Sequence, residues 1–406
     1  MADFARSDDP AVQAQLDRLA SLTPGGDRLG LDRIDRLLDR LGRPQDRLPP
    51  VFHVAGTNGK GSTCAFLRAG LEAAGHSVHV YTSPHLVRFN ERIRIAGRLI
   101  DDDRLAALLA EVLDASAGID PSFFEATTAA AFVAFARTPA DACVLEVGLG
   151  GRLDATNVID RPLVTGIASL GLDHQQFLGD DMRVIAGEKS GIARPGVPLV
   201  CLAQDPEAEA EIIRIAGNRG APLRLEGRDW LHDGSLRPAL PGAHQVRNAN
   251  LAWRMLASQD SFTVSKTRFQ SALSAAPWPA RFQLLSDGPL GQGRATWLDG
   301  AHNPAAAAAL ATVLAERGPM HIVLGILANK DAKAIVGALA PYASSLTFVP
   351  VPDHAHHDPA KLAGQFKGHA AGSLSEALAG LPAPRLIAGS LYLAGEALRL
   401  NGQRPD

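Results

Sequence analysis

Gly56-Thr57-Asn58-Gly59-Lys60-Gly61-Ser62-Thr63 is the stretch whose residue types could do chemistry with least help from elsewhere. Glycines at 56, 59 and 61 let the backbone wrap closely, so that successive N–H groups can point inward at an anion. Lys60 adds a mobile positive charge suited to β- and γ-phosphates. Ser62 and Thr63 open a helical pattern through Leu71, whose positive end faces the same anion. The spacing departs from the common G-x-x-x-x-G-K-[ST] because Gly61 separates the lysine from the first hydroxyl. Together these features predict a nucleoside-triphosphate site.

Two further residues could serve such a site. Cys143-Val144-Leu145-Glu146-Val147 reads as a buried strand interrupted by one acid, directly before Gly148-Leu149-Gly150-Gly151-Arg152. A carboxylate at the carboxyl end of a strand beside a phosphate loop can hold a magnesium ion, directly or through water, and the glycines clear space for close approach. His174, on the loop after the strand pattern Leu163–Ile167, is a second candidate ligand. A salt-bridged glutamate and a structural histidine are the alternatives.

These groups must be positioned by a sheet. The β-branched run Val51–Ala55 precedes the glycine turn, and Val78-His79-Val80-Tyr81 follows its helix, giving the β-loop-α-β unit that builds parallel sheets. Thr82–Arg92 is too rich in polar and ring residues for core and is expected as a loop at the sheet's carboxyl edge. Upstream, Val12, Leu16 and Leu19 have helical spacing before a break at Thr23-Pro24-Gly25-Gly26, and Ile34, Leu37, Leu38 and Leu41 mark a second helix. Asp101 and Asp102 cap a helix carrying Leu105, Leu108, Leu109, Val112 and Leu113, and another begins near Phe123-Phe124-Glu125. After a break at Pro277–Arg281, a second α/β alternation runs from Ala295 to the last helix. It lacks a G-x-G-x-x-G turn, which argues against a dinucleotide site there. The expected architecture is therefore α/β: an N-terminal parallel-sheet domain of P-loop ATPase type, residues 1–285, and a smaller Rossmann-like domain, residues 286–406, with the boundary at 286–293.

Composition agrees with a folded soluble chain of two domains: 406 residues, 46% hydrophobic and 20% charged. A net charge of −3 gives no basis for nucleic-acid attraction. Cys64, Cys143 and Cys201 lack metal or disulfide spacing. Charged residues from Asp3 to Asp9 precede any apolar run, and no stretch has the length of a membrane span, so the expectation is a cytoplasmic protein without a secretory signal. Nothing demands more than a monomer.

The shifted hydroxyl in Gly56–Ser62 resembles the ATP loop of the Mur ligase superfamily. Further stretches narrow the likeness: Thr82-Ser83-Pro84-His85-Leu86, Glu146–Asn157, Asp173-His174, Glu188-Lys189-Ser190-Gly191 and Leu298–Pro304 together resemble the folylpolyglutamate synthase/dihydrofolate synthase family. The resemblance implies an ATP-dependent ligase that joins the carboxylate of dihydropteroate or tetrahydrofolate to the amine of L-glutamate through an acyl phosphate, releasing ADP and phosphate. It implies that Asn58, Gly59, Lys60, Gly61 and Ser62 hold the triphosphate and that Ser83, Glu146 and His174 hold magnesium. Asn248, Arg281 and Asp299 would contact ATP, with His302 near the reacting phosphate or incoming glutamate. The pterin end would lie by Leu29, Gly30, Phe123, Phe124, Leu153 and Asp154, with Ser390 a further substrate contact. Lys189 matches a lysine that the superfamily carbamylates on Nζ, turning an ammonium into an anion beside the metal. Ala280 and Asn329 stand where the family usually has glycine and aspartate, which bears on the C-terminal contacts.

Other readings are a ligase of the family limited to tail extension, a Mur-type ligase acting on a UDP-linked acid, or a non-catalytic nucleotide switch. The chain before Val51 is too short for a uridine-nucleotide domain, and a switch has no need of a Glu, His and Lys set beside phosphates. The bifunctional ligase is the expectation.

Overall fold

The computed structural model describes residues 5–22 and 29–406; the expected break at Thr23-Pro24-Gly25-Gly26 lies outside the described residues, as does Asp3. Two compact units divide at Ala276/Pro277, the second also taking Leu240–Gln245. The division falls upstream of the expected 286–293. Gln283–Leu284 is a strand that pairs with Thr296–Leu298, which ties residues before 286 to the second sheet.

The first unit contains eight strands: β1 (Val51–Ala55), β2 (Val78–Tyr81), β3 (Ile93–Ile95), β4 (Arg98–Leu99), β5 (Ala142–Glu146), β6 (Val164–Ile167), β7 (Leu199–Cys201) and β8 (Leu223–Leu225). Their order is β4-β3-β2-β5-β1-β6-β7-β8. β3 pairs antiparallel with both β2 and β4, and every other pairing is parallel. β1 is buried at all five positions, the pattern of an internal strand covered on both faces. From β1 the chain crosses to β2 on one side, whereas β6, β7 and β8 extend the other. Open α/β sheets bind ligands at such a reversal, here the carboxyl ends of β5, β1 and β6.

Local chemistry sets the helices around this sheet. Asp101 caps the helix Asp102–Ala115 by accepting from Arg104 N, and Ser122 with Glu125 forms a reciprocal capping box at the start of Phe123–Ala136. Fully buried Ala126, Ala129, Ala130 and Ala134 let neighbours approach the second of these closely.

One expectation fails within this unit. Thr82–Arg92 is not all solvated loop: Phe89–Arg92 is a short 3-10 turn in which Phe89, Asn90 and Arg92 are buried. Arg92 lies over the rings of Phe89 and Phe123 and donates from Nε to His85 Nδ1 at 2.9 Å. Asn90 donates to Ile100 O and Asp102 Oδ1. Polar side chains that find partners of this kind can be buried at little cost.

The second unit has six strands: β9 (Gln283–Leu284), β10 (Thr296–Leu298), β11 (Met320–Leu324), β12 (Ala343–Phe348), β13 (His369–Ala370) and β14 (Arg385–Ala388), in the order β13-β12-β11-β14-β10-β9. Only β9 is antiparallel to its neighbour. Leu310, Leu314, Ile322, Leu324, Ile335, Phe348 and Leu386 fill its core. Among the described residues no helix is long and apolar enough to cross a membrane.

Candidate active site

The glycine turn leaves β1 and enters the helix Lys60–Ala73 through Gly59, whose φ of +87° an L side chain rarely adopts. A Cβ at Gly59 would also collide with Asn248 Oδ1, which brings Asn248 of the helix Ala243–Leu256 to the turn. The loop after β6 braces the turn from the other side. Thr57 N and Asn58 N both donate to Ser169 O, at 2.9 and 3.1 Å, and Thr57 Oγ1 donates to Gly171 O at 2.9 Å. Lys60 Nζ reaches Thr57 O at 3.3 Å. Ser62 Oγ, in the first helical turn, is buried with no hydrogen-bond partner among the described residues.

Glu146 ends β5 opposite Val54 of β1, two residues before the glycine turn begins at Gly56 on the neighbouring strand. Its Oε2 accepts from Ser83 N at 3.3 Å, so these two expected metal ligands are adjacent. His174 follows the loop that braces Thr57. It has left-handed backbone, with φ 51°, and donates its N–H to Asp173 Oδ1. Among the described residues no three His, Cys, Asp or Glu side chains gather as a metal cage, so the expected set contributes one carboxylate, one hydroxyl and one imidazole.

Lys189 lies in the last turn of Met182–Ser190, is buried, and donates from Nζ to Gly56 O at 3.0 Å. Two lysines therefore converge on consecutive carbonyls of one glycine-rich turn. Burial, and after it the Lys60 charge, pull the Lys189 amine from 10.5 down to about 7, while Asp173 and Asp154 act in the opposite sense.

The remaining first-unit residues surround Gly148–Asn157. The Phe124 ring occupies the space a side chain at Gly148 would need and lies 5.8 Å from Tyr81. Phe123 meets Phe89 edge-on at 6.0 Å. Asp154, after half-buried Leu153, is itself buried. Its Oδ1 accepts from Thr156 N and Oγ1, at 3.0 and 2.5 Å, and its Oδ2 accepts from Leu149 N at 2.8 Å. Burial raises its pKa against those donors. Thr156 Oγ1 in turn contacts buried His53 Nε2 at 2.8 Å. Most of the Asp154 carboxylate's hydrogen-bonding capacity is thus spent on its own loop, a function its sequence position did not disclose. Leu29 and Gly30 are half-buried, just before the helix Asp32–Arg40.

In the second unit the expected residues lie just before β9 and after β10 and β14. Asp299 is buried and accepts from Phe282 N and Ala301 N, at 2.8 Å each; burial raises its pKa, opposed chiefly by Arg281. Arg281 Nη1 donates to Ala280 O and lies beside Gly300. His302 Nδ1 donates to Gly300 O at 2.8 Å, which puts the lone pair of the neutral ring on Nε2. Gly389 N donates to Ala301 O, and Ser390 accepts from Tyr392 N to cap the last helix, so the Ser390 loop abuts the Asp299 loop.

Comparison with known proteins bears on this arrangement. Residues 280–384 match the model of the Mur ligase glutamate ligase domain. The chain is 36% identical over 361 residues to the dihydrofolate synthase/folylpolyglutamate synthase of Bacillus subtilis, covering 80% of this chain and 81% of that protein. It belongs to the folylpolyglutamate synthase/dihydrofolate synthase family of ATP-dependent Mur ligases. The Escherichia coli FolC structure with DHPP and ADP superposes with a TM-score of 0.86 at 31% identity, covering 97% of this chain and 98% of that one. The Yersinia pestis bifunctional enzyme with AMPPNP and Mn ion gives 0.86 at 30%, covering 97% and 99%.

A divalent cation is implied for a ligase of this family, and the residues present fit one. Glu146 supplies a hard carboxylate donor whose Oε2 accepts from Ser83 N, Ser83 carries a hydroxyl, and Ser62 Oγ is a buried hydroxyl without a partner among the described residues at the glycine turn. Magnesium binds through one or two carboxylates plus substrate phosphates rather than a protein cage, which this donor set matches. The Gly59 geometry gives a direct test of nucleotide binding. Gly59→Ala is expected to weaken ATP affinity at least about tenfold, since the turn must either strain or displace Asn248; calorimetry giving an unchanged dissociation constant in a folded variant would contradict that reading of the turn.

Proposed function

We propose that this family member joins L-glutamate to both dihydropteroate and tetrahydrofolate, as a bifunctional dihydrofolate synthase/folylpolyglutamate synthase. The observation that carries the phosphoryl-transfer half is the convergence of Lys60 and Lys189 on Thr57 O and Gly56 O, at a helix N-terminus. The Lys60 cation and a row of backbone amides make a locus for a triphosphate, with Lys189 Nζ on the adjacent carbonyl.

In the proposed reaction a substrate carboxylate oxygen attacks the γ-phosphorus of ATP, the bond to the bridging oxygen breaks, and ADP leaves. The glutamate amine then attacks the acyl carbon of the resulting acyl phosphate. The tetrahedral intermediate collapses with loss of inorganic phosphate, and the amine proton passes to a base. Asn58, Gly59, Gly61 and Ser62 hold the triphosphate, and Lys60 follows the charge of the transferring phosphoryl group. Ser83, Glu146 and His174 would hold the cation, which neutralises phosphate oxygens when bound. Asn248, Arg281 and Asp299 are assigned to ATP. His302 is assigned to the reacting phosphate or the incoming glutamate. Leu29, Gly30, Phe123, Phe124, Leu153, Asp154 and Ser390 are assigned to the folate substrate. Holding the reactants together can supply roughly 7–11 kcal/mol of the barrier.

Lys189 is proposed to carry a carbamate. Its amine nitrogen attacks the carbon of carbon dioxide and loses one proton to solvent, leaving an N-carboxylate. A lysine whose amine titrates near 7 offers the neutral, nucleophilic form at physiological pH. The same depression has a stability consequence. The unfolded chain keeps this proton up to about 10.5, whereas the folded amine gives it up near 7, so the lysine's cost to folding is full below 7 and fades as pH rises to 10.5. With bicarbonate excluded, Lys189→Met is therefore expected to melt at a higher temperature than the parent at pH 7 and to lose that advantage by pH 10. A difference independent of pH would contradict it. With bicarbonate present, intact mass should show one added carbon dioxide on the parent and none on the variant.

We further propose a monomeric, cytoplasmic enzyme. One chain supplies all the assigned contacts, and its three cysteines are free and buried, as suits a reducing compartment.

A further inference from the structure

Asn157 closes the Glu146–Asn157 motif, yet no substrate, phosphate or metal role falls to it. It is buried, and its side-chain amide joins three segments of the first unit. Nδ2 donates to Arg152 O at 3.0 Å in the glycine-rich turn and to Gly191 O at 3.1 Å, just beyond the helix Met182–Ser190. Oδ1 accepts from Arg194 Nη2 at 2.9 Å, and the same nitrogen donates to Asn157 O at 2.7 Å. The amide thus makes three of the four hydrogen bonds available to it.

The two segments it bridges are in backbone contact. Arg152 N donates to Glu188 O at 2.7 Å, and the Arg152 guanidinium pairs with the Glu188 carboxylate at 2.7 Å. A Cβ on Gly151 would press on Glu188 O and Lys189 O, and one on Gly191 would collide with Arg152. Only glycine fits at either position. Arg194 Nη1 and Arg219 Nη1 also donate to Gly191 O, at 3.3 and 2.9 Å, so positive charge gathers where the helix exposes its carbonyls. Lys189 sits in the middle of this joint, and its Nζ reaches the phosphate turn at Gly56 O.

We infer that Asn157 is a positioning residue for the ligation. Its amide registers the end of the helix that carries Lys189 against the glycine-rich turn 148–152, so that Lys189 and the loop bearing Leu153 and Asp154 hold one fixed arrangement. The inference rests on the proposed role of Lys189 as the carbamate-bearing lysine of the site.

The test compares Asn157→Asp, Asn157→Ser and Lys189→Ala in the full-length protein. Aspartate keeps the size of the amide and the acceptor for Arg194 but turns an oxygen toward two carbonyls, whereas serine keeps one donor. Active sites are counted by stoichiometric ADP binding, so that kcat refers to folded, nucleotide-competent enzyme. Asn157→Asp is expected to lower kcat per site by about tenfold or more with KM for ATP unchanged. Asn157→Ser should lie between it and the parent, and decides the question if the aspartate variant does not fold. Retention of kcat per site in the Asn157 variants, with only Tm or the active fraction reduced, while Lys189→Ala is inactive, would reduce Asn157 to a structural role and overturn the inference. Retained turnover in Lys189→Ala would instead overturn the reading of Lys189 on which it stands.

Discussion

Lys60→Ala is expected to cut ligation by about a thousandfold or more while leaving the fold intact, since cations aimed at a transferring phosphoryl group are worth several powers of ten. The turn does not depend on this side chain. Thr57 and Asn58 are fastened to Ser169 O by their own amides, Thr57 Oγ1 to Gly171, and Gly59 already occupies its left-handed conformation. What the alanine removes is the Lys60 positive charge over the Thr57 carbonyl. Lys189 cannot replace it: burial and Lys60 itself hold its amine near 7, and without Lys60 the amine would gain proton affinity yet remain tied to Gly56 O. Phosphate release measured beside a melting curve separates the two effects. Turnover within an order of magnitude of the parent would remove Lys60 from the chemistry.

Glu146→Gln should be comparably severe, by a different route. Glutamine keeps the volume and the acceptor for Ser83 N at this buried strand end, so β5 and its pairing with β1 should persist. The variant loses a full negative charge at the carboxyl end of β5. If that charge holds the cation, activity should fall by about a hundredfold or more and recover in part at high magnesium, because the weakened site can still be filled by mass action. Full activity at ordinary magnesium would show that Glu146 is a structural carboxylate.

Some of this could be read from residue order because the signals are local. The glycines, Lys60 and Ser62 are neighbours in the chain, and the strand and helix around them follow from a β-branched run and a capped apolar pattern. Glu146 was visible as one acid in an apolar strand. The rest depended on contacts that no local pattern encodes. Arg92 and Asn90 read as solvated, yet the rings of Phe89 and Phe123, His85 and Asp102 take them into the interior. The two-residue strand Gln283–Leu284 is too short to announce itself, and it moves the division between units to Ala276/Pro277. Asp154 reads as a substrate contact and turns out to spend most of its oxygens on Leu149 and Thr156. Asn157 gave no sign of its partners because Arg152, Gly191 and Arg194 meet it only after folding.

The most direct test of the central claim is phosphate release by the purified protein with ATP and magnesium, run in parallel with dihydropteroate plus L-glutamate and with tetrahydrofolate plus L-glutamate. Glutamate-dependent release with both acids is the predicted result. Release with tetrahydrofolate alone would leave a tail-extending ligase and contradict the bifunctional proposal, and silence with both would contradict the assigned substrates altogether.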